Sequence, residues 1–160
     1  MKVFFNFLLP FFFIFSFSFG ATTKIQNFKL KTEDGKIITR EDLKGKPSIL
    51  VFWSLNCSSC KKELPILNKF YEKYKDKINF YAIVLFTKSL DKVKQRKKEW
   101  GFNIPVLFGN SRVMYKYRVI GVPTIYFVNK DLTIYKFLYG KVGKDQLKIL
   151  IKNLLKNSSK

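Results

Sequence analysis

The pattern of apolar positions divides the chain into a short leading segment and a longer part with regular periodicity. From Val3 to Phe19 almost every residue is apolar, and lysine-rich, polar sequence follows from residue 21. A run that is apolar on every face lacks the period of an amphipathic core helix. We therefore expect residues 1–20 to be a targeting or membrane segment and residues 21–160 to form one domain.

The leading segment fits two interpretations. Lys2 precedes the apolar run, and Ser18 and Gly20 place small residues at positions −3 and −1 of a cleavage site, which is typical of a secretory signal peptide cut after Gly20. The run is also close to the lower limit of about 17 residues for a spanning helix, so an uncleaved N-terminal membrane anchor is the alternative. Both interpretations predict an exported domain, in the periplasm or on the outer face of the cytoplasmic membrane.

After the leader, apolar runs and helical spacing alternate. Continuous apolar runs at Ser48–Ser54 and Ile78–Phe86 predict strands buried on both faces. Helical spacing follows them over Ser58–Tyr74 and over Leu90–Trp100, with Gly101 as the stop. The other predicted elements are a hairpin over Ile25–Thr39 with an Asp34-Gly35 turn, a short extended piece at Pro105–Phe108, a short helix capped by Ser111 and reaching Tyr117, an antiparallel hairpin of Thr124–Val128 and Thr133–Leu138, and an amphipathic helix over Lys144–Leu155. This order predicts an α/β fold with an N-terminal β-hairpin and a central mixed β-sheet flanked by helices.

Composition narrows the possible chemistry. The chain has 160 residues, two cysteines and no histidine. Without histidine, most catalytic zinc sites and all Ser-His or Cys-His nucleophile pairs are excluded. Two cysteines alone cannot complete a four-ligand structural zinc site. We therefore expect no metal and no cofactor, and chemistry carried by Cys, Asp or Glu, Lys, Tyr or the backbone.

The net charge is strongly positive. The 31 Lys and Arg residues against 11 Asp and Glu residues give a formal charge of +20, which suggests a nucleic acid, an anionic membrane surface or an acidic partner. Nucleic acid is disfavoured, because the basic residues are mostly scattered lysines and arginine is the residue suited to base and phosphate contacts. Solvated lysine-rich faces are the simplest explanation, and an acidic partner or a membrane surface stays open.

The motif that carries chemistry is Cys57-Ser58-Ser59-Cys60, which contains both cysteines of the chain. It follows a predicted buried strand and opens a predicted helix, at the end of a sheet where ligand sites lie. Unpaired N–H groups and the helix dipole stabilise a thiolate there, so we expect Cys57 to attack and Cys60 to resolve the mixed disulfide. An inert disulfide is the alternative, although so short a loop contributes little stability. A metal-binding pair lacks further soft ligands.

The segment around this motif resembles a known family. The stretch Trp53-Ser54-Leu55-Asn56-Cys57-Ser58-Ser59-Cys60-Lys61-Lys62-Glu63-Leu64-Pro65 resembles the active-site signature of thioredoxin-fold proteins, and its Cys-x-x-Cys-x-x-Glu-x-Pro form is similar to the exported TlpA/ResA branch. The resemblance extends upstream to Gly45-Lys46-Pro47 and downstream to Gly121-Val122-Pro123-Thr124, which matches the cis-proline loop of the family. It covers roughly residues 25–155. It implies a thioredoxin-like fold and a thiol–disulfide oxidoreductase with a redox-active Cys57–Cys60 disulfide.

The resemblance also implies roles for residues outside the motif. Pro123 would follow a cis peptide bond and Val122 would offer its backbone to a substrate chain, whereas a plain strand-entry proline is the alternative. Glu63 lies one helical turn after Cys60 and would exchange a proton with its thiol. The alternative for Glu63 is an exposed side chain paired with a lysine. Trp53 would lie beside the active site and contribute to substrate binding, or would only pack in the core.

Four functions remain open on these residues. The first is a monomeric reductant of disulfides in exported proteins, with a membrane thiol reductant as electron donor and a role in cell redox homeostasis. For this function, the resemblance to the TlpA/ResA branch implies apocytochrome c, in cytochrome c maturation, as a possible substrate. The second is a disulfide-forming oxidase or isomerase, which uses the same cysteines. The third is a peroxiredoxin-like antioxidant enzyme, whose Thr-x-x-Cys frame is only partly met by Ser54. The fourth, a copper-delivery module, lacks its Cys-x-x-x-Cys spacing and its histidine.

Overall fold

The structure is a computed structural model that describes residues 23–158. The predicted signal peptide or anchor at residues 1–20 lies outside the described residues. The helices and strands that the structure describes are β1 (Lys29–Thr32), β2 (Ile37–Thr39), β3 (Ser48–Ser54), α1 (Ser58–Tyr74), β4 (Asn79–Leu85), α2 (Leu90–Trp100), β5 (Val106–Phe108), α3 (Ser111–Lys116), β6 (Thr124–Val128), β7 (Ile134–Tyr139) and α4 (Lys144–Ser158), with one turn of 3-10 helix at Glu41–Leu43. None of these described helices combines the length and apolarity needed to cross a membrane.

The described strands form one mixed sheet in the order β2-β1-β5-β4-β3-β6-β7. β3 pairs in parallel with β4 along its whole length, from Ser48 opposite Asn79 to Ser54 opposite Leu85, and pairs antiparallel with β6 on its other side. β4 pairs in parallel with β5. Because parallel strands need long crossover connections, α1 and α2 occupy the β3–β4 and β4–β5 links. The carboxyl ends of β3 and β4 therefore meet at one edge of the sheet.

Two apolar clusters cover the two faces of this sheet. β3 contributes Ile49, Val51 and Trp53 to the cluster beneath α1, α2 and α4, and it contributes Leu50 and Phe52 to the cluster beneath α3. Since residues 48–53 are all buried, both alternating sides of the strand need apolar side chains. This is why the strand appears in the sequence as a continuous apolar run, and the predicted mixed sheet with helices on both faces is confirmed.

The first predicted hairpin begins later than expected. β1 starts at Lys29, whereas the alternation predicted a strand from Ile25. The preceding residues cross to the other end of the sheet, where Lys24 bridges to Thr133 and the Ile25 N–H donates to the Leu132 carbonyl at 2.9 Å. Ile25 and Phe28 are buried in this segment and the two residues between them are exposed, so the apolar positions of the sequence alone do not show which strand the segment contacts.

The prediction that Ser111 caps α3 is wrong. Asn110 is the N-cap residue, with an extended backbone at φ −141°, and its Oδ1 accepts the N–H of Val113 at 3.0 Å. Ser111 is instead the first helical residue. Both residue types are good caps, and the choice depends on which of them keeps the extended backbone.

This assignment predicts different effects for two neighbouring substitutions. Asn110→Ala removes the acceptor for the Val113 N–H and should lower the free energy of unfolding by about 1 kcal/mol. Ser111→Ala leaves that hydrogen bond in place and should change it by less than about 0.5 kcal/mol. Urea unfolding of both variants measures the difference, and an equal loss from both would contradict the Asn110 cap.

Candidate active site

Cys57 occupies the N-cap of α1, directly after the central strand β3. Its backbone is extended, and its Sγ accepts the N–H of Cys60 at 3.0 Å. That N–H and the dipole of α1 stabilise negative charge on Sγ once the sulfur is reduced. Cys57 is half-buried, whereas Cys60 has no exposed surface. A substrate sulfur can therefore reach Cys57 but not Cys60.

The two cysteines form a disulfide, with their Cα atoms 5.2 Å apart. The structure is thus the oxidised form, which is the product of a reductant and the resting state of an oxidant. Within residues 23–158, no group of three or more His, Cys, Asp or Glu side chains is arranged to hold a metal ion.

The loop that leads into β6 lies against the outer cysteine. The Val122–Pro123 peptide bond is cis, and the carbonyl oxygen of Val122 lies 3.5 Å from the Sγ of Cys57. The Gly140 N–H donates to the Pro123 carbonyl at 2.7 Å and ties the loop to the end of β7. The fold thus brings Cys57, Val122 and Pro123 together from positions 65 residues apart in the chain.

Glu63 lies on the buried face of α1, one turn beyond Cys60, and is fully buried. The backbone N–H of Gly143 donates to both carboxylate oxygens, at 3.2 and 3.4 Å. Burial raises the pKa of Glu63 above its ordinary value, against the opposing effects of the Gly143 and Val142 backbone and of the Lys141 charge. The alternative of an exposed glutamate paired with a lysine does not hold, because the carboxyl group is removed from water.

Trp53 supports the site from within the core. Its side chain is fully buried and packs edge-on against Trp100 and Phe102, with ring centroids 5.5 and 5.4 Å away. No residue that the structure describes accepts a hydrogen bond from its Nε1. Because Trp53 has no exposed surface, a substrate cannot contact it in this structure. Of its two predicted roles, core packing is the one that its position supports.

Two residues that sequence reasoning did not single out border the active-site loop. Arg96 on α2 donates from Nε to the Leu55 carbonyl at 2.9 Å, which fixes the chain two residues before Cys57. Phe86, directly after β4, has a φ of 63° and a side chain that is 79% exposed. The left-handed backbone costs a non-glycine residue about 1 to 2 kcal/mol. Neither the Arg96–Leu55 hydrogen bond nor the backbone of Phe86 could be predicted from the sequence, because each depends on the parallel pairing of β3 with β4.

Comparison with known proteins agrees with this geometry. Residues 21–137, which contain both cysteines, Glu63 and the cis-proline loop, match the AhpC/TSA family. The thiol-disulfide oxidoreductase ResA of Bacillus thuringiensis subsp. konkukian (strain 97-27) is 34% identical over 130 residues, which cover 80% of this chain and 75% of the relative. ResA of Bacillus subtilis (strain 168) is 32% identical over 122 residues, or 76% of this chain and 68% of the relative. This chain belongs to the TlpA/ResA-like branch of the thioredoxin superfamily.

Solved structures support the same fold for this ResA-like chain. StoA from Bacillus subtilis aligns with a TM-score of 0.66 and 28% identity, over 79% of this chain and 96% of that one. A thioredoxin-family thiol:disulfide interchange protein from Chlorobium tepidum TLS aligns with a TM-score of 0.73 and 23% identity, over 84% and 97% of the two chains. The predicted thioredoxin-like fold is confirmed, and the protein is a thiol–disulfide oxidoreductase with its dithiol at Cys57 and Cys60.

The buried carboxyl group of this ResA-like protein predicts a pH-dependent stability. A folded-state pKa raised above the unfolded value means that the native state binds the proton more tightly, so stability is present at low pH and falls as pH rises through the folded pKa. Glu63→Gln keeps an acceptor for the Gly143 N–H but cannot ionise. It should raise the free energy of unfolding at pH 8, where the wild-type carboxyl group is ionised at a cost, and leave it nearly unchanged at pH 4.

Urea unfolding across this pH range is the measurement, with Glu72→Gln as the matched control. Glu72 lies on the same helix but is exposed and pairs with Lys75 at 2.8 Å, so its loss should bring no gain at any pH. A Glu63→Gln protein that is less stable than the wild type at pH 8 would show that the ionised carboxylate is well stabilised in the fold, contrary to the raised pKa.

Proposed function

We propose that this chain is an exported reductant of protein disulfides, with apocytochrome c among its substrates. The observation that carries the proposal is the pairing of two buried groups, Cys60 and Glu63, one helical turn apart behind an accessible Cys57. Such a pair supplies a resolving thiol together with a carboxyl group able to accept its proton. The similarity to proteins named ResA supports the same assignment.

Reduction proceeds by two thiol–disulfide exchanges. The Cys57 thiolate attacks one sulfur of the substrate disulfide and forms a mixed disulfide, while the other substrate sulfur leaves as a thiolate and takes a proton from water. Cys60 then attacks the Sγ of Cys57, which closes the intramolecular disulfide and releases the second substrate sulfur. Two electrons have then passed from the dithiol to the substrate; one substrate thiol has taken its proton from water, and the other takes up a proton in balance with the one that Cys60 releases.

Glu63 serves the second exchange. The Cys60 thiol must lose its proton before it can attack, and its burial opposes ionisation. Because burial raises the pKa of Glu63, its carboxylate is a stronger base than an ordinary glutamate and is better matched to a thiol. The proton that Cys60 gives up is held by Glu63 until solvent or the leaving substrate sulfur accepts it.

The cis-proline loop serves substrate binding. Val122 is only half-buried, and its carbonyl lies beside the attacking sulfur. An extended substrate chain that pairs with this backbone would place its disulfide next to Cys57. The support for this role is geometric, because the loop that leads into β6 brings the Val122 carbonyl within 3.5 Å of the Cys57 Sγ.

The proposal also includes the location of the protein and the source of its electrons. The apolar leader at residues 1–20 supports a location in the periplasm or on the outer face of the cytoplasmic membrane, either by secretion or by anchoring. Outside the cytosol, the oxidised dithiol would be returned to its reduced form by a membrane thiol reductant. We propose a monomer with no nucleic-acid partner.

The direction of the reaction separates this function from a disulfide-forming oxidase or isomerase, which would use the same cysteines. We expect the reduction potential of the Cys57–Cys60 pair to lie near or below the thioredoxin value of about −270 mV. The protein is equilibrated in dithiothreitol buffers and its free thiols are counted by alkylation, with Cys60→Ser as the variant that cannot form the disulfide. A potential near −120 mV would contradict the reductant and favour an oxidase.

A further inference from the structure

Phe86 combines two features that do not favour folding. Its backbone lies in the left-handed region, which bulky side chains rarely adopt, and its aromatic ring is 79% exposed. The β3–β4 register ends at Ser54 opposite Leu85, and the next residue of each strand, Leu55 and Phe86, lines one surface cavity. Leu55 is two positions before the attacking Cys57 in the chain. An exposed ring on an unfavourable backbone at the edge of an active site indicates a contact made with something outside the chain.

A surface cleft joins this ring to the active-site loop. We call it the Phe86 cleft, a cavity of about 400 Å³ whose lining includes Leu55, Asn56, Phe86, Lys92 and Arg96. Asn56 directly precedes Cys57 in the chain, so the cleft reaches the residue before the attacking cysteine. The cleft also includes the first two turns of α2. It lies on the β4 side of β3, whereas the cis-proline loop leads into β6 on the other side of β3.

The charge of the Phe86 cleft has one sign. Its lining, which lies entirely within residues 23–158, includes Lys92 and Arg96 and contains no acidic side chain. Arg96 is partly neutralised by Glu99, but Lys92 has no ion pair within the described part of the chain. Lys88 lines a second cavity, which shares Leu85, Phe86 and Thr87 with the Phe86 cleft. The cleft therefore offers one aromatic surface flanked by cationic groups.

We propose that the Phe86 cleft binds the part of a substrate polypeptide that flanks its disulfide, and that it selects an apolar residue accompanied by acidic ones. The ring of Phe86 supplies apolar area that is buried only when the substrate is bound, and Lys92 supplies the charge that favours carboxylates. This proposal rests on the proposed function for its polypeptide substrate but not on the direction of electron flow. It also gives one part of the +20 charge a specific role.

Two matched disulfide peptides test the selectivity. Both contain the same Cys-x-x-Cys disulfide and the same neighbouring leucine, and they differ only in carrying two aspartates or two lysines beside it. The full-length wild type should show a kcat/KM about tenfold higher for the acidic peptide. The preference should shrink at high salt because exposed charges are screened. Neutral bis(2-hydroxyethyl) disulfide serves as the reference substrate.

A pair of charge variants separates the cleft from the general positive field of the protein. Lys92→Glu should lower the ratio of acidic to basic peptide rates by at least about fivefold. Lys94→Glu makes the same change in net charge on α2, at an exposed residue whose side chain points to the far side of the helix, and it should alter the ratio little. Equal effects from the two variants would overturn the proposal in favour of long-range attraction.

Two substitutions of Phe86 separate the ring from the backbone. Phe86→Ala and Phe86→Gly both remove the ring, and each should lower the acidic-peptide kcat/KM, relative to the reference disulfide, by roughly tenfold. Only glycine suits the positive φ, so Phe86→Gly should melt at a higher temperature than Phe86→Ala while losing the same selectivity. Tyr115→Ala, at an aromatic side chain that is 84% exposed on α3, is the control and should leave the rates unchanged.

Unchanged peptide rates in both Phe86 variants would overturn the proposal, because the substrate would then lie only against the cis-proline loop.

The same peptides are also assayed in reverse, with reduced peptide and the disulfide form of the protein. An oxidising potential would contradict the proposed reductant while leaving the acidic-to-basic ratio intact in both directions. A ratio near one in both directions would reject the cleft while leaving the reductant standing.

Discussion

The site depends on the burial of one face of helix α1 against the sheet. Leu64 and Leu67 are fully buried in the cluster beneath that helix, and burial of each such side chain contributes about 1.5 to 3 kcal/mol. The same stripe of the helix carries Cys60 and Glu63. Apolar packing that holds the helix in place therefore also removes the second cysteine and a carboxyl group from water.

This arrangement divides the chemistry between the two cysteines. Cys57, at the N-cap, keeps contact with solvent and gains the N–H of Cys60 as a hydrogen-bond donor. Cys60 is hidden from substrates and can react only with the sulfur next to it. The cost of burying Glu63 is partly offset by the Gly143 N–H, which comes from the loop between β7 and α4. Residues distant in sequence thus adjust the proton affinity behind the dithiol.

Much of this arrangement could be predicted from the sequence, where the physical signal is local. The apolar run of β3, the helical spacing of α1 and the position of the Cys-x-x-Cys motif between them each depend on neighbouring residues. The burial of Glu63 had a weaker signal, its place on the same helical stripe as Cys60 and Leu67. The left-handed backbone of Phe86 and the contact of Arg96 with Leu55 could not be predicted, because both depend on which strands pair. The choice of Asn110 over Ser111 as a cap depends on one backbone angle that side-chain preference does not fix.

The proposed role of Glu63 is to accept the proton of Cys60 during the second exchange. Its most direct test is the rate of that exchange as a function of pH, measured by stopped flow after Cys57 has formed a mixed disulfide with a chromophoric thiol. In the wild type the rate should rise as the Glu63 carboxylate forms, and Glu63→Gln should be slower by at least about tenfold and lack that rise. An equal rate and an unchanged pH profile in Glu63→Gln would contradict the claim.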